Sequence, residues 1–517
     1  MTPDRRSFLR GGLVAGTGTV LGGLVGGGPA LASPGLVHRD RPRLTHGVQS
    51  GDVTAHDAVI WARSDRPARM LVDVSRRPDF RDARRIPGPV LTPETDLTGK
   101  TFLRGLPSGE ELHYRVILAD TDRHSVRSEP VTGRLRTAPR VRTDLRFVWS
   151  GDLAGQGWGI NTELGGYRIF KAMAARDPHF FLCSGDFVYA DGPLSETVAL
   201  PDGRTWRNFV TPEKTKVAET LAEYRGQFRY NLHDANLRAF NARVPMIYQW
   251  DDHEVTNNWY PGEILDLPAY TEKRVDVLAA RARRAMFEYT PTAVRAPKGG
   301  RLYRRLPYGP LLDVFVLDMR TYKDANGPNN SPTHREGVLG AEQLAWLKSE
   351  LRRSKATWKV MAADLPIGLI VPDGSAQEGI AQGDNGAPLG REREIADLLS
   401  FAKRNRVRNM VWLTADVHYT AAHYYNPSKA AFKDFDPFWE FVSGPLNAGA
   451  FGPNSLESTF GPQLAFQAFP PAANTSPAMG FQFFGEVAID APSGELTVHL
   501  RDIDGKALYS KSLRPAR

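Results

Sequence analysis

From residue 145 onward, apolar runs recur that each close on an acidic residue or run through one. They are LRFVWSGD (145–152), HFFLCSGD (179–186), PMIYQWDDHE (245–254), LLDVFVLDMR (311–320), TWKVMAADLP (357–366) and NMVWLTADVH (409–418). Short, nearly continuous apolar runs are what strands buried on both faces require. Between several of them the period lengthens to that of a helix, as in TEKRVDVLAARARRAMFEY (271–289) and GAEQLAWLKSELRRS (340–354). Strands alternating with helices predict an α/β domain over 144–517 with its sheet covered on both faces.

The pattern upstream is different. AVIWARS (58–64), ARMLVDVS (68–75), LHYRVILAD (112–120) and PVTGRLRTA (130–138) alternate apolar with polar positions and are separated by Pro, Gly and Asp. That predicts a small antiparallel β-sandwich over 45–138, with Thr137-Ala138-Pro139 as a linker. The closing stretch 483–513 reads as a hairpin turned at Pro492-Ser493-Gly494 plus one more strand, completing a sheet.

The first 32 residues stand apart. Arg5-Arg6-Ser7-Phe8-Leu9-Arg10 precede a weakly apolar, glycine-rich stretch and then Ala30-Leu31-Ala32. Paired arginines, a soft apolar region and an A-x-A site read as a twin-arginine export signal, too short and too glycine-rich for a membrane span. The expectation is a secreted bacterial protein that folds, and takes up metal, before export. One cysteine in 517 residues excludes an intramolecular disulfide, so packing and bound ions must carry stability. A net charge of +8 suits anionic substrates such as phosphates or acidic lipid. No nucleic-acid-binding module and no repeat is visible, and a monomer is expected.

Chemistry concentrates where the runs end. Asp186 follows Gly185 where the run 180–183 leaves a buried strand, and ligands of open α/β sheets gather at such carboxyl ends. Strand ends delivering aspartate and histidine, with Tyr189 close by, make a mixed oxygen and nitrogen donor set for hard or borderline cations. Two such cations held close together can clamp an in-line displacement at phosphorus. No G-x-S-x-G elbow, phosphate-binding glycine loop or H-x-K repeat appears, which leaves serine and histidine nucleophile routes unsupported.

SGD (150–152), GDFVY (185–189), WDDHE (250–254) and ADVHYT (415–420) resemble, in order, the motifs of calcineurin-like metallophosphoesterases, and the tyrosine points to their purple acid phosphatase side. GVQSGDVTAHDAVIWARS (47–64), YQWDDHEVTNNW (248–259), LDMRTY (317–322) and LTADVHYT (413–420) resemble the alkaline phosphatase D family more closely, over roughly residues 45–500. The resemblance implies an α/β metallophosphoesterase fold, a β-sheet sandwich flanked by helices, preceded by an immunoglobulin- or fibronectin-like β-sandwich. It implies that Asp186 bridges two metals, with Tyr189, Asp152 and His418 completing a ferric site and Asp252 and Asp416 a second one. Carboxylates where the superfamily has an amide and an imidazole make that second site suit calcium, so Fe3+ and Ca2+ are expected ahead of Zn2+ or Mn2+.

The sequence departs from the family at two points. The first motif has no cysteine ligand, so Asp152 must take that role, and the mid-domain histidine is missing from VMAADLPIG (360–368), where Asp364 is the stand-in. Cys183 is expected to pack inside its strand. His253 is expected to point away from the metals and to donate a proton to the leaving oxygen or hold phosphate, and Arg320 to contact phosphate. Asn257 and His423 lie near the motifs.

The reaction implied is attack of metal-bound hydroxide at phosphorus on phosphate monoesters, diesters or both. An alternative is a metal-dependent phospholipase D working at a phospholipid surface, with Trp158, Trp259-Tyr260 and FDPFWEF (435–441) as an apolar rim. A second alternative is a non-catalytic metal- or lipid-binding protein on the same fold.

Overall fold

The runs that show no polar face in the sequence are strands whose alternate side chains serve two different cores. The computed structural model describes residues 40–293, 300–332 and 336–516; residues 1–32, where an export signal is expected, lie outside them. In the strands Leu145–Ser150 and Phe181–Ser184, the side chains of Phe147, Trp149 and Leu182 pack with Val314, Val360, Val411 and Leu413 of a second sheet. Val148, Phe181 and Cys183 face the other way, into a core shared with helices Ile169–Ala175, Leu221–Asn231, Ala235–Asn241 and Val275–Tyr289. Phe315, Met361 and Trp412, on the outer face of the second sheet, pack with helices Gly340–Arg353 and Glu392–Arg404. Two sheets thus lie face to face with helices outside both. Slipping any of these strands by one residue would exchange its two sets of side chains, each buried large side chain being worth about 1.5–3 kcal/mol.

The first sheet has nine strands and the second seven. In the first, Leu145–Ser150, Phe181–Ser184, Met246–Gln249 and Leu44–Gly51 run parallel; in the second, Leu312–Val316, Trp358–Ala362, Met410–Thr414 and Phe438–Val442 do. The carboxyl ends of all but Leu44–Gly51 and Phe438–Val442 carry the acidic motifs. The strands Phe483–Ile489, Leu496–Asp502 and Ala507–Leu513 complete one edge of the nine-stranded sheet, with the intervening turn closed by Gly494 donating to the Asp490 carbonyl at 2.8 Å.

At the other edge of that sheet stand Leu44–Gly51, Asp57–Ser64 and Thr98–Arg104. A four-stranded antiparallel sheet of Arg84–Leu91, Ala68–Ser75, Glu111–Asp120 and Val131–Arg136 packs with them around Ile60, Met70, Val72, Val116 and Leu118. One layer of this N-terminal β region therefore continues, through the pairing of Gly51 with Met246, into the sheet that carries the acidic motifs. Arg84–Leu91 carries Pro87 and Pro89, which hide its alternation, and it sits at a sheet edge, where proline is tolerated. Among the described residues no helix is long and apolar enough to cross a membrane.

Candidate metal centre

The acidic residues lie just past the strand ends, and the chain turns sharply to present them. Asp152, Asp186, Asp416 and His418 all adopt left-handed backbone conformations, with φ of 65°, 49°, 67° and 59°. Non-glycine residues enter that region at a cost, and side chains held there cluster at functional sites. Glycines permit the close approach of these turns. A Cβ on Gly185, itself at φ 94°, would meet the Asp251 Cβ at 2.4 Å, and one on Gly444 would fall 2.0 Å from the Asp152 Oδ2. Glu254 then ties two of the loops together by accepting from the backbone N–H groups of Asp186, Phe187 and Asp251 at 3.1, 2.8 and 2.8 Å.

Three groups of ligand atoms result, each with its atoms within 4.8 Å of one another: Asp152, Asp186 and His418; Asp186, Asp252 and His253; and Asp251, Asp252 and Asp416. Asp186 belongs to the first two and Asp252 to the last two. The phenol of Tyr189 reaches the first group, its hydroxyl 2.8 Å from the His418 Nε2. The His418 Nδ1 lies 2.5 Å from the Gly449 carbonyl and must donate to it, which leaves the Nε2 lone pair free for the Tyr189 hydroxyl or a cation. Burial holds that imidazole neutral, down to about 4.

Charge balance argues for cations here. Burial, reinforced by neighbouring carboxylates, pushes Asp152, Asp186 and Asp416 well above the usual carboxylate range, and burial beside Asp186 pushes the Tyr189 phenol up as well. Both carboxylate oxygens of Asp152 and one each of Asp251 and Asp252 are buried without a hydrogen-bond partner. Buried carboxylates without partners are costly unless something positive meets them. Oxygen donors with one imidazole and one phenol fit hard and borderline cations.

The fully buried guanidinium of Arg320 is spent on carboxylates. Its Nε donates to the Asp251 Oδ1 at 2.5 Å and lies 3.4 Å from Asp364, Nη1 is bonded to Glu378, and Nη2 lies 3.6 Å from Asp416 and 3.9 Å from Asp252. The expected phosphate contact therefore gives way to a cage of carboxylates. Asp364 also differs from the expectation: it accepts from Gln249 at 3.2 Å, leans on Arg320 and joins none of the three ligand groups. Cys183 is wholly buried in the core. His423, in the strand Thr420–Tyr425, pairs with Glu440 of the adjacent antiparallel strand and joins none of the three ligand groups.

His253 sits where its neighbours define its chemistry. Its backbone N–H donates to the Asp186 Oδ1 at 3.1 Å, its ring lies 4.2 Å from that of Tyr189, and its Nδ1 is 2.8 Å from Asp191. Burial by itself would depress this imidazole, but the carboxylates of Asp191 and Asp252 outweigh it and push it up to about 10. Asp191 lies within the GDFVYADGP stretch and Asp251 beside Asp252, but neither is distinguishable there as a partner. Glu378 sits in no motif at all.

A cavity of 250 Å³ opens over these groups, walled by Asn257, Asn258, Val371, Pro372, Phe451 and Asn454 above Asp186, Asp252, Glu378, Asp416 and His418. The aromatic rim expected of a lipid site is absent from it. Trp158 packs on Trp206, Trp259 on Trp250, and Phe435, Phe438 and Phe441 are buried in the cores.

Comparison with known proteins points to a family and a fold. A family profile described as PhoD-like phosphatase matches residues 147–500, and one described as PhoD-like phosphatase, N-terminal domain, matches residues 30–139. Alkaline phosphatase D of Bacillus subtilis (strain 168) is 28% identical over 490 residues, covering 89% of this chain and 78% of that protein. A solved structure titled "Structure of PhoD" superposes with a TM-score of 0.69 at 22% identity, covering 91% of this chain and 90% of the other. Purple acid phosphatase PPD1 from yellow lupin (Lupinus luteus) seeds superposes with a TM-score of 0.57 at 14% identity, covering 92% and 74%. These two likenesses establish a shared fold.

Proposed function

Because the chain belongs to the PhoD-like phosphatase family, and is thereby a hydrolase of phosphoric esters, we propose that it cleaves its substrate at two cations held by the carboxylates at the strand ends. The observation that carries this reading is the run of overlapping ligand groups in which Asp186 links Asp152 and His418 to Asp252, and Asp252 links on to Asp416, with both oxygens of Asp152 left without a partner. Asp152, Asp186, Tyr189 and His418 would hold one cation, and Asp186, Asp252 and Asp416 the other. A phenol that burial holds protonated ionises only beside a strong Lewis acid, so we assign ferric iron to the Tyr189 side and calcium to the all-carboxylate side. Such a pair supplies Lewis acidity and a hydroxide nucleophile near neutral pH.

The protein's own groups supply the rest. Asp191 fixes the His253 Nδ1 and keeps the ring protonated, leaving its Nε2 proton for the departing alkoxide. Arg320 offsets the carboxylates from behind without entering the cavity. Among the described residues no lysine or arginine lines the cavity, and His253 is its one cationic side chain. A diester monoanion is better matched to that lining than a monoester dianion. The buried aromatics give no support to a phospholipid rim.

Export by the twin-arginine route from the segment 1–32, and action as a monomer, complete the proposal. The test is hydrolysis of bis(p-nitrophenyl) phosphate, p-nitrophenyl phosphate and phosphatidylcholine, before and after chelation. The expected order of kcat/KM is diester, monoester, then lipid, all abolished by chelator and restored by iron with calcium. Undiminished turnover in the fully metal-free protein would refute the reading.

A further inference from the structure

One wall of the cavity is a strap that returns on itself: Pro372–Asp373 pairs with Ala376–Gln377, with Val371 and Pro372 facing the cavity and Gly374-Ser375 at the exposed tip. Its far limb is anchored, since Gln377 donates to the Gly327 carbonyl at 2.8 Å and Arg391 donates to the carbonyls of Gln377 and Gly379 at 2.9 and 3.0 Å. Its near limb meets the loop that carries the metal ligands through one side chain. The Asp373 Oδ1 accepts from the Asn258 Nδ2 at 3.0 Å and its Oδ2 from the Asn326 Nδ2 at 2.8 Å, while Asn326 Nδ2 also reaches the Asn258 carbonyl at 2.7 Å.

Asn258 is the next link. It sits in the left-handed region, φ 56°, which asparagine adopts more readily than most residues and which its contacts to Asp373, Asn326 and Asp252 brace. In that conformation its backbone N–H donates to the Asp252 Oδ2 at 2.5 Å. The other oxygen of Asp252, Oδ1, is buried and has no hydrogen-bond partner. The carboxylate is thus divided between one oxygen fixed by the protein and one left for a cation.

We propose that Asp373 is a positioning residue for the second cation: by holding the Asn258 carboxamide it fixes the N–H that orients Asp252, and it couples the cavity wall at Val371 and Pro372 to that ligand. The inference rests on the two-cation reading above, and it assigns to an exposed strap a part in the site that the ligand motifs do not reveal. Without Asp373, the Asn258 carboxamide has lost its acceptor and only the Asn326 contact to its carbonyl braces it, so Asp252 can turn its orphan oxygen away.

The test uses the full chain stripped of metal, with calcium as the probe and the rise in melting temperature as the readout, so that turnover is not needed. Asp373→Ala should leave the melting temperature of the metal-free protein unchanged and raise the calcium concentration giving half the maximal shift by about tenfold, the cost of one charge-assisted hydrogen bond. Asp373→Asn, which keeps one acceptor oxygen, should fall between. With the loaded enzyme, KM should rise more than kcat falls, because the wall moves with the ligand. Half-saturation in both variants equal to that of the parent would overturn the proposal while leaving the metal centre standing. A parent protein whose stability ignores calcium would overturn both.

Discussion

The hydroxyl of Tyr189 stands 2.8 Å from Nε2 of His418, a side chain 229 positions further along the chain. The contact joins the carboxyl end of a strand in one sheet to that of a strand in the other, and it brings a phenol and a neutral imidazole to Asp152 and Asp186. In Tyr189→Phe the ring and its packing on His253 remain while one oxygen donor is lost. The expected outcome is a melting temperature for the metal-free protein close to that of the parent, and kcat/KM lower by about a hundredfold. Violet absorption from a phenolate on iron should be present in the parent and absent from the variant.

Asp186 is shared by two ligand groups, and burial with the surrounding carboxylates pushes it well above the usual range. Asn in its place can still accept the His253 N–H, yet removes one charge from a crowded cluster. Asp186→Asn should therefore melt at the same temperature or higher than the parent when both lack metal, and should lose the stabilisation that added cations give the parent. Turnover should fall by about a thousandfold. Scanning calorimetry with and without cations separates the two effects, and a metal-free variant that melts well below the parent would contradict this account.

The pairing of His253 with Asp191 predicts a dependence on leaving group. Asp191→Asn removes the charge that keeps the imidazole protonated. An alkyl alkoxide needs a proton as it departs, whereas p-nitrophenolate does not. The variant should lose about a hundredfold on alkyl esters and little on p-nitrophenyl esters, measured as kcat on a matched pair of diesters. Equal losses on both would remove His253 from the proton-donor role.

Glu392, which joins none of the three ligand groups, gives a pH signature of the fold. Burial, with the Glu457 carboxyl beside it, pushes Glu392 up to about 9, so the folded protein holds a proton that the unfolded chain has lost above about 4.5. Over that interval folding takes up a proton, and the stability tied to the proton on Glu392 declines as pH rises, by about 1.4 kcal/mol per unit at most. Glu392→Gln needs no proton. Its melting temperature should fall less steeply than the parent's between pH 5 and pH 9, and parallel profiles would contradict the assignment.

What was legible in the sequence follows from how local each feature is. The strands of the two central sheets announce themselves because both faces are apolar, and their ends carry Asp152, Asp186, Asp252 and Asp416, so the strand pattern and the carboxylates that converge in the fold were visible together. Arg320 was legible as a residue at a strand end but not as the partner of Asp251 and Glu378, since those partners come from other loops. Asp364 occupies a strand end like the others, yet Gln249 and Arg320 claim it, and no local signal separates the two fates. The strap at 371–379 has neither periodicity nor motif, and its relation to Asn258 exists only once both loops are folded.

Two cations held where these carboxylates converge would show themselves in anomalous scattering from crystals of the purified protein, recorded on both sides of the iron edge. One peak is expected among Asp152, Asp186, Tyr189 and His418 that strengthens above the edge, and a second among Asp186, Asp252 and Asp416 that does not. A map with no peak among these side chains, in a protein that hydrolyses phosphoric esters, would contradict the two-cation reading.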